Sequence, residues 1–252
     1  MMRTLITIFL ILPAVNAAQA TILWQGNFET GDVGQWHDAI NPQGLSLISD
    51  CTFDGDYAGK VRITGEESFL WQGNKSLNRS EFQHRRRAGN TYEGKDTFFA
   101  FSFYLPKKLS NQKHELGYWE SDKSWQQTLR FTITGTGLSF QESAAKEVFW
   151  SLTNGAVPGQ WHRLALHIHW STNANQGSAE VWVNGKHMGK NYFKNLPARD
   201  AVMFTQLGIL RAQEDSVEEI YIDGAIETDN LTELLERDRH LVGKECAAAP
   251  SS

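Results

Sequence analysis

The sequence predicts an all-β chain, a two-sheet antiparallel β-sandwich with one short C-terminal helix, and three observations carry that expectation. Short segments of alternating apolar and polar residues follow one another between Gly, Asn and Asp turns, without βαβ alternation or an internal repeat. Asn184-Gly185 closes Val181-Trp182-Val183, and Asn-Gly after such a run is a strong hairpin signal. The chain is 40% hydrophobic and 12% aromatic with nine Trp, enough to fill a sizeable core between two sheets.

At the N-terminus, Arg3 precedes an apolar run over residues 5–15 and the small residues Ala18-Gln19-Ala20. This is the layout of a secretory signal peptide over 1–20, with the mature chain starting at Thr21. The run is too short to span a bilayer, and no later run is long enough. The protein is therefore expected to be secreted or periplasmic, with no membrane partner. The remaining ~230 residues suit a single domain over 21–245 and a tail over 246–252. A monomer is expected.

Within the domain, residues 79–83 read as a strand with Arg79, Glu81 and Gln83 on one face and Phe82 on the other. Residues 98–105 place Phe99, Phe101, Phe103 and Leu105 together, and Pro106 ends the segment. Leu129, Phe131 and Ile133 alternate with Thr128, Arg130 and Thr132, and Gly135-Thr136-Gly137 then turns the chain toward residues 138–140. Residues 163–170 carry Leu164, Leu166, Ile168 and Trp170 on one side. Further strands are expected at 206–211 and 219–223. Residues 231–241 read as the helix, with Asp229 or Asn230 as N-cap.

The net charge of −5 lacks the basic footprint of a nucleic-acid binder. Cys51 and Cys246 are an even pair, which in an exported protein is a candidate disulfide, the alternative being two thiols.

Several side chains are candidates for chemistry. A solvated Arg–Glu pair contributes only about 0–1 kcal/mol to a sheet, so Arg79 beside Glu81 reads better as a guanidinium fork held for a carboxylate ligand, the alternative being ordinary surface charge. If residues 114–120 form one regular strand, His114, Leu116, Tyr118 and Glu120 share a face that can meet Arg79. His167 and His169 alternate with their apolar neighbours and could pair on a metal, but no third ligand is visible. Arg85-Arg86-Arg87 could line a groove for an anionic chain or be solvated loop charge. Trp71, Trp119, Trp125 and Trp150 are candidate sugar-stacking platforms.

With these segments in place the chain resembles the concanavalin-like jelly rolls, and within them the heparin-lyase-I-like and alginate-lyase-like polysaccharide lyases. Four stretches carry the resemblance: Asn27 to Asp32 with Trp36; Arg79-Ser80-Glu81-Phe82-Gln83, similar to the family's Arg-x-Glu strand; Gly159-Gln160-Trp161-His162 with the Asn184-Gly185 hairpin; and residues 204–211, similar to the strand that carries a Lys and a catalytic Tyr in the lyases. Here Gln206 and Leu210 stand at those two positions. The family's Gln-x-His strand has two matches, Gln112-Lys113-His114 by letters or Tyr118-Trp119-Glu120 by position.

The resemblance implies β-elimination on an anionic, uronic-acid-containing polysaccharide, with no cofactor for catalysis. Arg79, His114 and Tyr118 are the catalytic candidates, and Glu81, Gln83, Trp119, Glu120, Arg130 and Arg211 the substrate-binding ones. It also implies a structural Ca²⁺ held by Glu29, Asp32 and Asp223. The alternatives are a non-catalytic carbohydrate-binding jelly roll that has lost the lyase residues, and a glycoside hydrolase, for which no strand with suitably paired carboxylates is found.

Overall fold

The computed structural model describes residues 21–66, 68–71, 75–84, 92–237 and 239–246. The expected signal peptide, Arg85-Arg86-Arg87 and the last tail residues lie outside these, as does the side chain of Trp71.

Among the described residues, two antiparallel sheets of eight strands each form the fold. The first holds β1 (Ile22–Gly26), β3 (Leu45–Ile48), β4 (Ala58–Ile63), β7 (Asp96–Tyr104), β12 (Trp161–His169), β13 (Ser178–Val183), β14 (Lys186–Tyr192) and β16 (Glu218–Thr228). The second holds β2 (Asp38–Ile40), β5 (Ser68–Trp71), β6 (Lys75–His84), β8 (His114–Ser121), β9 (Gln127–Thr134), β10 (Gly137–Glu142), β11 (Val148–Leu152) and β15 (Met203–Ala212). Their orders are β14-β13-β12-β7-β16-β4-β3, with β1 on β16, and β11-β10-β9-β8-β15-β6-β2, with β5 on β6.

The two-residue period read from the sequence is what builds the core. Phe99, Phe101 and Phe103 of β7 and Leu164, Leu166 and Ile168 of β12 face Phe82, Trp119, Phe131, Phe140 and Leu207 of the other sheet. The predicted hairpin forms, with both Asn184 (φ 52°) and Gly185 (φ 77°) left-handed, as a two-residue turn of this twist requires.

The helix is shorter than expected. α1 spans Leu231–Glu236, Arg237 is extended, and a separate 3-10 turn covers Arg239–Leu241. Of the two N-cap candidates it is Asn230 whose side chain accepts from Thr232 and Glu233 N–H. Leu234 packs on Ala100, Ala165 and Ile226, so the helix covers part of the first sheet's outer face.

Cys51 and Cys246 are bonded, closing 195 residues of sequence. Restricting the unfolded chain over such a loop gives about 5 kcal/mol in the chain-entropy picture, and losing a native disulfide typically costs about 2–5 kcal/mol. The Cys51→Ser/Cys246→Ser variant is expected to be less stable by that amount, read as a lower urea midpoint. A midpoint equal to that of the oxidised wild type would show that the tail contributes nothing.

Candidate functional site

The outward face of the second sheet carries a cleft of about 320 Å³ lined by Arg79, Glu115, Tyr118, Glu120, Trp125 and Arg130, among others. Three strands supply its floor. On β6 the alternation is regular, so Phe82 enters the core while Arg79, Glu81 and Gln83 turn toward the cleft side. On β15, Gln206, Gly208 and Leu210 lie opposite Gln83, Glu81 and Arg79. Gly208 is required there, because a Cβ would stand 2.3 Å from Ser80 O and 2.7 Å from the Glu81 Cα.

On β8 the alternation breaks. The register with β9 shifts between Glu115 and Gly117, and that with β15 between Leu207 and Leu210. This bulge places Leu116 in the core and turns Glu115 toward the cleft with Tyr118 and Glu120. The single face expected for His114, Leu116, Tyr118 and Glu120 is therefore split.

The polar groups of the floor form one network. Arg79 Nε donates to Glu81 Oε2, and Arg79 Nη2 donates to Tyr118 OH at 2.6 Å and to Gln206 Oε1 at 2.5 Å. Tyr118 OH donates to Glu81 Oε2 at 3.1 Å, and Gln83 Nε2 to Gln206 Oε1 at 2.6 Å. Gln206 Nε2 in turn donates to Glu120 Oε2. Arg79 is only 4% exposed, yet it lines the cleft, so its charge is held dry beneath any ligand. Along one wall, Arg130 Nη1 donates to Glu115 Oε1 at 2.7 Å and to Gln127 Oε1 at 3.1 Å. With the Gln141 amide turned to present its oxygen, Gln141 accepts from Arg130 Nη2 at 2.8 Å.

Burial sets the protonation states apart. Burial works against the Arg79 charge, but Glu81, Tyr118 and Glu120 outweigh it and the guanidinium stays firmly protonated. Burial pushes the Tyr118 hydroxyl well above its ordinary value, helped by Glu81 and opposed by Arg79. Burial also raises the Glu120 carboxyl to about 7, with Arg79 and Gln206 opposing and Glu81 adding to the rise. A tyrosine kept protonated beside a carboxyl poised near neutrality can serve as an acid and a base respectively.

The remaining candidates are placed elsewhere. His114 points into the protein, where its Nε2 meets Glu218 Oε2 at 2.5 Å. Arg211 joins the same buried group, donating to Glu218 at 2.5 Å and Glu214 at 2.6 Å, and neither His114 nor Arg211 lines the cleft. Burial works to raise the Glu218 carboxyl, but His114, the Ser110 N–H and Arg211 overcome it and hold it at about 2. Removing the histidine should thus damage stability and spare chemistry. His114→Gln is expected to lose about 1–3 kcal/mol in a urea titration, with kcat within about twofold of wild type. A large fall in kcat at unchanged stability would return His114 to the site.

Trp119 is a core residue, edge-on to Phe99 with ring centroids 5.5 Å apart, and Trp150 packs on Phe131 and Phe140. Among the described side chains of the four candidates, Trp125 is the one that lines the cleft. It is 46% exposed at the rim, its backbone is left-handed (φ 54°), and its ring stands edge-on to Phe204. Glu115, Gln127 and Gln141 escaped the sequence reading, because only the bulge brings Glu115 to this face.

The expected calcium ligands do not fit that ion. Glu29 accepts the Asp56 and Tyr57 N–H groups, and Asp32 Oδ1 accepts from Thr30 and the Gly34 N–H. Asp223 uses Oδ2 for the Phe53 and Asp54 N–H groups and Oδ1 for that of Gly224. These bonds hold the three carboxylates to their own loops, and their ligand atoms do not converge within 4.8 Å of one another as a shared ion would need. His114, Glu214 and Glu218 do bring their ligand atoms within 4.8 Å of one another. The Arg211 guanidinium, however, already serves as the cation for both carboxylates.

The fold is a jelly-roll sandwich, and the cleft on its second sheet sets a protonated tyrosine and a carboxyl poised near neutrality over a buried guanidinium. The family model described as polysaccharide lyase matches residues 28–225, and the chain belongs to that family. No individual curated protein matches the sequence. Among solved structures, the alginate lyase Aly36B is similar at 12% identity and a TM-score of 0.56, over 82% of this chain and 95% of that one. The cellulose-induced protein Cip1 is similar at 14% identity and a TM-score of 0.56, over 82% and 97% of the two chains. The catalytic domain of a glycoside hydrolase family 131 protein from Coprinopsis cinerea has 14% identity and a TM-score of 0.57, over 83% and 94%. At these identities the likeness shows the fold alone.

Proposed function

We propose that this polysaccharide lyase acts outside the cytoplasm on a uronic-acid-containing chain, and that Glu120 and Tyr118 perform the β-elimination over Arg79. The observation that carries this reading is the opposed protonation of Tyr118 and Glu120 in one hydrogen-bonded network.

In this reading the uronate carboxylate lies over the cleft-facing edge of Arg79, beside the Gln206 and Gln83 amides. Positive charge there stabilises the negative charge that builds on the carboxylate as C5 loses its proton. Glu120 takes the C5 proton, the freed electron pair forms the C4=C5 double bond, and the C4–O bond breaks. Tyr118 gives its proton to the leaving glycosidic oxygen, and the resulting phenolate is held by the Arg79 Nη2 donor already 2.6 Å away. Glu81 keeps the guanidinium in one orientation throughout. Trp125 offers an apolar face to a neighbouring sugar ring.

The Cys51–Cys246 bond supports an oxidising compartment. Among the described residues no helix is long and apolar enough to cross a membrane. The experiment is a screen of glucuronan, alginate, heparin-like and pectic chains, following both ultraviolet absorbance of the conjugated product and new reducing ends. Absorbance rising with reducing ends on at least one polymer is expected. Reducing ends without absorbance would mean hydrolysis, and retention on the polymer with neither signal would mean a binding protein.

A further inference from the structure

The outer face of the first sheet, turned away from the cleft, gathers imidazoles and carboxylates that the lyase reaction does not use. Leu164, Leu166 and Ile168 point into the core, so His167 and His169 project outward from β12. The strand register supplies what the sequence lacked. Asp96 of β7 lies directly opposite His169, and Glu180 of β13 directly opposite His167. Asp96 Oδ1 receives both rings, His167 Nε2 at 2.7 Å and His169 Nδ1 at 3.0 Å.

We infer that His167 Nε2, His169 Nδ1 and an Asp96 oxygen form a binding site for a divalent ion of the zinc type. Two imidazoles two residues apart on one strand, with a carboxylate from its neighbour, make a three-ligand set that suits such an ion and leaves a coordination position open. Closing the set around an ion takes rotation of side chains that are 18%, 33% and 43% exposed, while the strands that carry them stay paired. Asp96 also lines a hollow of about 520 Å³ beside the two rings.

A carboxylate also stands on the far side of the His167 ring from Asp96. To ligate through Nε2 the ring must carry its proton on Nδ1, and Nδ1 faces Glu180 Oε2 at 3.7 Å. A carboxylate behind a ligating histidine fixes the required tautomer. The ring is also held against Phe98, with centroids 4.6 Å apart. Glu180 Oε1 is itself met by His187 Nε2 at 2.9 Å, and Lys190 lies opposite Glu180 in the next strand. His187 therefore belongs to the support and not to the ligand set.

The test is calorimetric titration of the untagged, chelator-stripped full chain with Zn²⁺ alone. One ion per chain is expected, bound in the micromolar range, with a rise in Tm on loading. His169→Gln and Asp96→Asn should each weaken binding at least about tenfold, and Glu180→Gln about tenfold, while His187→Ala changes it little. Absence of Zn²⁺ binding by the wild type overturns the site. So does binding that survives His169→Gln and Asp96→Asn, or that is abolished by His187→Ala. Lyase activity should be the same in all four variants, so failure here is distinguishable from failure of the cleft.

Discussion

Replacing Arg79 with Ala is expected to lower kcat/KM on a uronate polymer by about 10²–10³-fold or more, the loss typical of removing one preorganised charge stabiliser. The same change leaves Glu81 buried without its counter-charge, and breaking a buried pair from one side costs about 3–5 kcal/mol. The two effects separate in a double variant. Arg79→Ala with Glu81→Gln removes the stranded charge, so stability should return toward wild type while activity stays low. Urea midpoints and kcat/KM measured on the same preparations decide the matter. Activity that recovers together with stability would reduce Arg79 to a structural role.

Glu120→Gln carries the second large effect. Losing a general base typically costs about 10²–10⁴-fold. Because the base works deprotonated, wild-type kcat/KM should rise with pH through about 7, and the variant should show no such rise. The stability effect runs the other way. The folded-state pKa is raised from 4.5 to about 7, so the folded protein binds the extra proton between those values, and stability falls as pH rises through about 7. A shift of that size is on the order of 3 kcal/mol. Glu120→Gln should therefore be more stable than wild type at pH 8 and equal to it at pH 4. A wild-type rate that falls across the same pH range would make Glu120 the acid.

How far the sequence reached depends on where strand geometry stays regular. β6 has no irregularity against β15, and the alternation that put Arg79, Glu81 and Gln83 on one face holds there. β8 is bulged, and one extra residue reverses every face before it. That is why Tyr118 and Glu120 reach the cleft while His114 is buried on Glu218. Matching the family's Gln-x-His strand by position, and not by letters, agrees with this geometry.

Arg211 illustrates a second limit. Polar residues on a strand are read as surface, but here a buried ion network of Glu214, Glu218 and His114 satisfies the guanidinium inside. Trp119 was legible as aromatic and not as core, since both faces of β8 lie largely out of solvent. Of the strands that escaped notice, β14 with Lys186 and Lys190 lies at a sheet edge where charge replaces the apolar alternation.

The most direct measurement is proton NMR of the oligosaccharides released from a uronate polymer by the wild type and by Arg79→Ala. The account predicts a vinyl H4 resonance from a C4=C5 unsaturated terminal sugar with the wild type, growing as the polymer shortens, and its near absence with Arg79→Ala. Saturated non-reducing ends from the wild type, or the vinyl signal forming at an undiminished rate with Arg79→Ala, would contradict it.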